Sequence, residues 1–252
     1  MSLKIYGMIL KECIVNNYGD SLILASPLFF SDLCMVCGIM TTYFEIKEVD
    51  VMSVIMAYKT DDKIYLGADN RTVSVDETIH KDNVSKISVI NDNVAIAFAG
   101  CNKFQMVFEF LLKYEKDITK LRVEDILRLN RKTYRFCKIL WFRKFSKEIL
   151  SLGSQIIVTG KNRKDEGCLY IAAISNRKFI KPLKKEWFIF PPYGIDMERG
   201  CNIYCESIKK YPNNFIQKTI KDISKINKYV SHSGDVWIYD IATGKSTSEH
   251  FS

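Results

Sequence analysis

A serine at position 53 opens a short apolar run, and an aspartate at position 69 closes the next one, sixteen residues on. A lysine follows at position 86, and a glycine at position 100 ends a further apolar run over residues 93–99. These are residue types that acyl transfer uses. A Ser hydroxyl is a weak nucleophile until a base takes its proton. An ammonium group favours a developing alkoxide nearby and lowers neighbouring amine pKa values, and a carboxylate keeps that ammonium charged and oriented. A glycine lets a backbone N–H come close to a reacting carbonyl. One at a time, each residue has a plainer reading: a polar strand end at Ser53, a turn former at Asp69 before Asn70, a lysine at 86 snorkelling from a strand. Their order and strand context favour the chemical reading.

The elements that must position them alternate in kind. Residues 53–59 and 63–69 are apolar-rich runs joined by Thr60-Asp61-Asp62, a β-hairpin signature. Residues 85–90 and 93–99 form a second hairpin around Asn91-Asp92. Residues 102–116 carry Phe104, Val107, Phe108, Leu111 and Leu112 at helical spacing. Residues 123–150 read as one longer helix, with Ile126, Phe136, Ile139, Leu140 and Phe145 on its apolar face. Strands are expected at 155–159, 169–175 and 187–190, helices at 197–210 and 214–228, and a closing strand at 236–241. This order is of the α+β class. Consecutive hairpins make antiparallel sheets, each needing cover on one face and a partner on the other. Two such sheets with helix pairs outside make a four-layer α-β-β-α sandwich, although the element order alone leaves other α+β folds open.

The stretch Ser53-Val-Ile-Met-Ala-Tyr-Lys-Thr-Asp-Asp-Lys-Ile-Tyr-Leu-Gly-Ala-Asp69, followed by Asn83-Val-Ser-Lys86-Ile and Ala97-Phe-Ala-Gly100, resembles the start of a proteasome β subunit and of the bacterial HslV-type peptidases. These are N-terminal-nucleophile (Ntn) hydrolases, and the resemblance selects the four-layer sandwich among the α+β folds. It puts Ser53 at the nucleophile, Asp69 and Lys86 at the charged pair behind it, and Gly100 at the oxyanion-hole N–H. Lys86 matches after a one-residue insertion in the preceding loop. Ser233, in Ser231-His232-Ser233-Gly234-Asp235, stands for an assisting Ser. The resemblance implies no cofactor and no metal.

Several residues depart from the pattern. Cys101-Asn102-Lys103-Phe104 follows Gly100, where the family more often has small residues and an Asp. Pro191-Pro-Tyr-Gly194 occupies the place of a Gly-Ser-Gly-like turn, and Val230 that of an Asp. His232 reads as a loop histidine, since the chain has no Gly-x-Ser-x-Gly elbow.

In this chemistry the base is the α-amine of the nucleophile itself, with a reference pKa near ~8 against ~10.4 for a Lys side chain. Ser53 must therefore be the first residue of the mature chain. Met52 precedes it, where propeptides of the family are usually cut after a Gly. The expectation is that Met52 is the physiological start and is removed by a methionine aminopeptidase. Residues 1–52 are then an N-terminal extension, a propeptide or an over-long start, ahead of a hydrolase domain at 53–252. The rival is a genuine extension that caps Ser53 and abolishes the amine base.

Composition sets the outer bounds. The chain has 252 residues, 47% hydrophobic and 26% charged, enough for a core that needs no disulfide or metal. Residues 1–52 hold three Lys against six Asp or Glu, so the excess of basic groups lies in the remainder. These cations are spread along helices, as solvated faces are, and no nucleic-acid motif accompanies them. The apolar segment 21–44 is interrupted by Pro27 and Asp32 and is too broken for a spanning helix, so no membrane partner is expected. The eight Cys lie mostly in apolar runs, which fits a reducing compartment and a cytoplasmic location. Cys34-x-x-Cys37 has metal-like spacing without a second pair or a nearby His. Cys201 and Cys205 fit a shared helix face.

The resulting expectation is a proteasome-like hydrolase cleaving a peptide or amide substrate through an acyl-enzyme. The alternatives are a non-catalytic ring or scaffold subunit and a non-proteolytic Ntn amidase. Self-association into a homo-oligomeric ring is expected, while an ATPase partner is left open. The first helix pair carries more apolar side chains than one sandwich face needs, Trp141, Phe142 and Phe145 among them. Replacing Lys86 by Ala is expected to spare folding and remove acylation.

Overall fold

The structure, a computed structural model, describes residues 53–73, 79–140, 144–192 and 194–252. Two five-stranded antiparallel sheets form its centre. The first contains β1 (Ile55–Lys59) and β2 (Lys63–Asp69), with β10 (Trp187–Phe190), β11 (Gly234–Asp240) and β12 (Lys245–Phe251), in the order β10-β1-β2-β11-β12. The second runs β5-β6-β7-β8-β9: β5 (Ile87–Asn91), β6 (Val94–Gly100), β7 (Ser154–Lys161), β8 (Gly167–Ser175) and β9 (Lys178–Lys185). A small ribbon pairs β3 (Thr72–Val73) with β4 (Ile79–Lys81).

Strand alternation builds the layers. Ile55 and Ala57 of β1, and Ile64, Leu66 and Ala68 of β2, point between the sheets. There they share a core with Ala95, Ala97 and Ala99 of β6, and with Trp237 and Tyr239 of β11, whose rings stack at 5.7 Å. Small side chains on one sheet leave room for the indole and phenol on the other. The intervening residues Val54, Met56 and Val236 face outward, toward α4 (Met197–Lys210) and α5 (Phe215–Ile226). Tyr204 and Phe215 anchor that layer, and truncating either to Ala costs about 3–5 kcal/mol. Gly67 is required where α5 crosses β2, because a Cβ there would collide with Ile216. On the far side, α1 (Asn102–Leu112), α2 (Val123–Ile139) and α3 (Lys144–Leu152) cover the second sheet, with Phe98 packed on Phe104 and Phe108. The architecture is the expected α-β-β-α sandwich.

Four elements differ from the sequence reading. The stretch 123–150 is two helices, because α2 ends at Ile139 and α3 starts at Lys144. Apolar residues recur on both sides of the break, so periodicity alone read through it. β9 escaped notice because KFIKPLKK has edge-strand chemistry, with four lysines and a proline instead of alternation. β12, mostly polar and exposed, pairs beyond the strand expected to close the fold. The β3–β4 ribbon is too short to leave a pattern.

The apolar residues of the first helix pair are largely spent within the monomer. Phe104, Val107, Phe108, Val123, Ile126 and Leu129 are buried, whereas Tyr114 and Ile118 are exposed. Trp141, Phe142 and the Phe145 side chain lie outside the described residues, as do Met52, Cys34 and Cys37. Among the described residues no helix is long and apolar enough to cross a membrane. No group of three or more His, Cys, Asp or Glu among them could hold a metal ion. The Cys137 and Cys168 thiols are pushed up by burial, that of Cys168 to about 12, so neither suits a nucleophile.

Candidate active site

The hairpins bring distant residues to one end of the sandwich. The register Ile55↔Ala68 sets Ser53 beside the end of β2, and Gly234↔Asp69 brings in the turn before β11. In the other sheet, the bond from the Phe98 N–H to the Lys86 carbonyl (3.0 Å) aligns the start of β5 with the end of β6. The ion pair between Lys86 and Asp69, 2.9 Å, joins the two sheets at this end.

Asp69 is fully buried. Its Oδ1 accepts from the Val54 N–H and from Lys86 Nζ, each at 2.9 Å. Its Oδ2 accepts from the N–H groups of Arg71 (3.1 Å) and Ser231 (3.3 Å). Four donors fill the acceptor sites of a carboxylate. Lys86 is 3% exposed, and its Nζ also donates to the Arg71 carbonyl at 2.6 Å. An ammonium has three N–H donors, so these two bonds leave one for a further acceptor.

Ser53 is buried, and its Oγ has no hydrogen-bond partner among the described residues. Buried hydroxyls normally have one. Because Val54 N–H and Lys86 Nζ meet on the same Asp69 oxygen, the backbone next to Ser53 is tied to the lysine.

Gly100 has φ +96°, and a Cβ there would stand 2.9 Å from the Gly153 carbonyl oxygen. Both facts demand glycine. N–H directions alternate along a strand. The Phe98 N–H points to β5 and the Cys101 N–H to Gly153 on the β7 side, so the Gly100 N–H points toward the Lys86 side.

Ser233 lies at the carboxylate end of the cluster. Its Oγ is 2.8 Å from Ser231 Oγ, and its carbonyl accepts from the Asn70 N–H at 3.3 Å. The structure records no bond from its side chain to Ser53 or Lys86. His232 Nδ1 is 2.8 Å from Ser224 Oγ on α5, away from the cluster. Val230 is buried in the core under α4 and α5.

Sequence reasoning missed Arg71 and Ser231. Both reach Asp69 through backbone N–H groups, which leave no residue-type signature. The Arg71 guanidinium bonds Asp82 at 2.7 and 2.9 Å and the Lys228 carbonyl at 2.7 Å. The Asp82 bond pushes the Arg71 pKa up and holds the Asp82 carboxyl below its ordinary range. Burial also corrects the expectation that Lys86→Ala would spare folding. Removing one partner of a buried ion pair strands the other charge.

A comparison with protein families matches residues 52–175 to the one described as Proteasome subunit. No curated protein matches the chain. The matched stretch contains Ser53, Asp69, Lys86 and Gly100 and stops before the Ser231–Ser233 turn.

Proposed function

Because the chain belongs to the proteasome-subunit family, we propose that it is an N-terminal-nucleophile hydrolase, cleaving peptide or amide bonds through an acyl-enzyme on Ser53. The observation that carries this reading is the shared Asp69 oxygen, which ties the Ser53–Val54 backbone to Lys86, with the Ser53 hydroxyl left without a partner among the described residues. The mature chain would begin at Ser53, leaving its α-amine free. That amine takes the hydroxyl proton as Oγ attacks the substrate carbonyl. Lys86 stabilises the developing charge on Oγ, held in place by Asp69 and the Arg71 carbonyl. The Gly100 N–H donates to the tetrahedral oxyanion, a contribution of about 3 kcal/mol for such a donor. Collapse breaks the C–N bond, and the departing amine leaves with the proton from the α-ammonium. Water then attacks the ester, the α-amine again serving as base, and releases the acid. Ser231 and Ser233 would act by positioning, through Asp69 and the turn before β11.

The family's habit of ring assembly supports a homo-oligomer, with an ATPase partner left open. Buried free thiols support a reducing, cytoplasmic setting. The second reading is a non-catalytic ring subunit. It is favoured by Val230, which is packed in an apolar core where family enzymes carry an Asp.

The test is intact mass and N-terminal sequence of protein made from its natural locus, with labelling by an electrophile selective for N-terminal hydroxyl residues. A chain starting at Ser53 and labelled there is expected. A dominant 252-residue species that resists labelling would favour the non-catalytic subunit. Sedimentation at micromolar concentration is expected to give a mass well above the 29.2 kDa of one chain.

A further inference from the structure

The Lys86 ammonium grips the two residues that flank Asn70. Its Nζ bonds Asp69 Oδ1 and the Arg71 carbonyl. Between them, the Asn70 carbonyl accepts from the Val84 N–H at 3.0 Å, two residues ahead of Lys86. Asn70 also donates its own N–H to the Ser233 carbonyl at 3.3 Å. One residue thus joins the end of β2, the approach to β5 and the turn before β11. Where its peptide units lie decides both where the Lys86 backbone enters β5 and what its ammonium meets.

The side chain of Asn70 is what orients it. Asn70 is 2% exposed, and its Nδ2 donates to Asp235 Oδ1 on β11 at 3.3 Å. The amide cannot be turned over, because its oxygen would then face a carboxylate oxygen, and neither has a proton to give. Its Oδ1 is buried without a partner among the described residues, so this orientation is held at a cost. Asp235 is itself held. It lies opposite His250 in the β11–β12 register, with Oδ1 2.9 Å from His250 Nδ1. A carboxylate and an imidazole nitrogen meet at that distance when the nitrogen carries the proton, so Nδ1 donates to Asp235. Asn70 Nδ2, 3.3 Å from the same Nδ1, therefore has Asp235 as its acceptor. Asp235 and His250 line a cleft of about 340 Å³ beside β5, together with Ser85, Ile87, Trp237 and Ser248. The structure records no bond from either of them to Ser53 or Lys86.

We infer that Asp235 is a positioning residue for the acyl transfer. It fixes Asn70, and through Asn70 the placement of Lys86, while His250 orients Asp235 from the cleft. This rests on the hydrolase reading of Ser53. The plainer role, a brace for the end of the β11–β12 hairpin, predicts a loss of stability with no change in the chemistry of the folded protein.

The test measures Ser53 labelling on protein made from its natural locus, well below its melting temperature, with an electrophile selective for N-terminal hydroxyl residues. A concentration series separates the maximal labelling rate from the half-saturating concentration. Asp235→Ala and Asn70→Ala should each lower the maximal rate about ten-fold and leave half-saturation unchanged. The double variant should fall no further than either single, because each removes the same bond. Asp235→Asn keeps an oxygen that accepts from Asn70 and should label within about two-fold of the parent. His250 is 53% exposed, so His250→Ala guards against a folding defect at Asp235, and it should lower the rate about three-fold. Parent-like rates in Asp235→Ala, Asn70→Ala and His250→Ala overturn the positioning role and leave the hydrolase reading intact. So does an Asp235→Asn variant as slow as Asp235→Ala. A parent that is never labelled overturns both.

Discussion

Two ion pairs meet at Arg71, and they behave as different kinds of object. Through its backbone, Arg71 holds Lys86–Asp69, whose side chains are 3% and 0% exposed. Through its guanidinium it holds Asp82, in a pair exposed by 19% and 43%. The first is sealed between the sheets, with every acceptor site of the carboxylate filled. The second lies at the surface, where solvent competes for both partners. The same chemistry is a framework in one place and a trim in the other, and burial makes the difference.

Breaking the buried pair should have the largest effect. Lys86→Met is expected to cost about 3–5 kcal/mol in urea unfolding and to abolish Ser53 labelling, because it leaves the Asp69 charge buried and alone. Asp69→Asn combined with Lys86→Met should recover much of the stability but none of the labelling. A single variant as stable as the parent would mean that Asp69 is not held as an ion. Gly100→Ala comes next. The left-handed backbone and the approach to Gly153 predict a loss of about 1–3 kcal/mol together with slower acylation. Unchanged labelling kinetics in that variant would remove the Gly100 N–H from the oxyanion site.

The exposed pair sharpens the contrast. Arg71→Ala keeps both backbone contacts to the buried pair and loses only side-chain bonds, so about 1 kcal/mol of stability is expected, with labelling within about three-fold of the parent. The sign of the pH effect follows from Asp82. Its folded pKa is depressed, chiefly by the bond from Arg71, below its ordinary 3.8. Its contribution is complete above that value and is lost as pH falls through the lower folded value. Below about pH 4, parent protein should therefore lose stability faster than Arg71→Ala. Parallel curves would show that the pair contributes nothing. Smallest of all is Lys225→Ala on α5, where the i,i+3 contact to Asp222 is exposed and Lys218 also serves that carboxylate. A change within about 0.5 kcal/mol is expected from thermal melts.

Asp69 and Gly100 were legible because each ends an apolar run that fixes a strand, and Lys86 because it stands at the start of one, and strand ends fix where a side chain or N–H emerges. The two hairpins, α4 and α5 were legible for the same reason of periodicity. Edge strands β9 and β12 were not, since an edge carries lysines and polar residues in place of a pattern. The sequence by itself determined which residue types the proposed acyl transfer would draw on and the order of elements that carries them. Only the tertiary structure decided that Asp69 is closed by two backbone N–H groups 160 residues apart, at Arg71 and Ser231, and that Glu109 of α1 meets Ser88 of β5. Backbone donors have no residue identity to read, and the facing of a helix on a sheet is set by packing, which no single segment encodes.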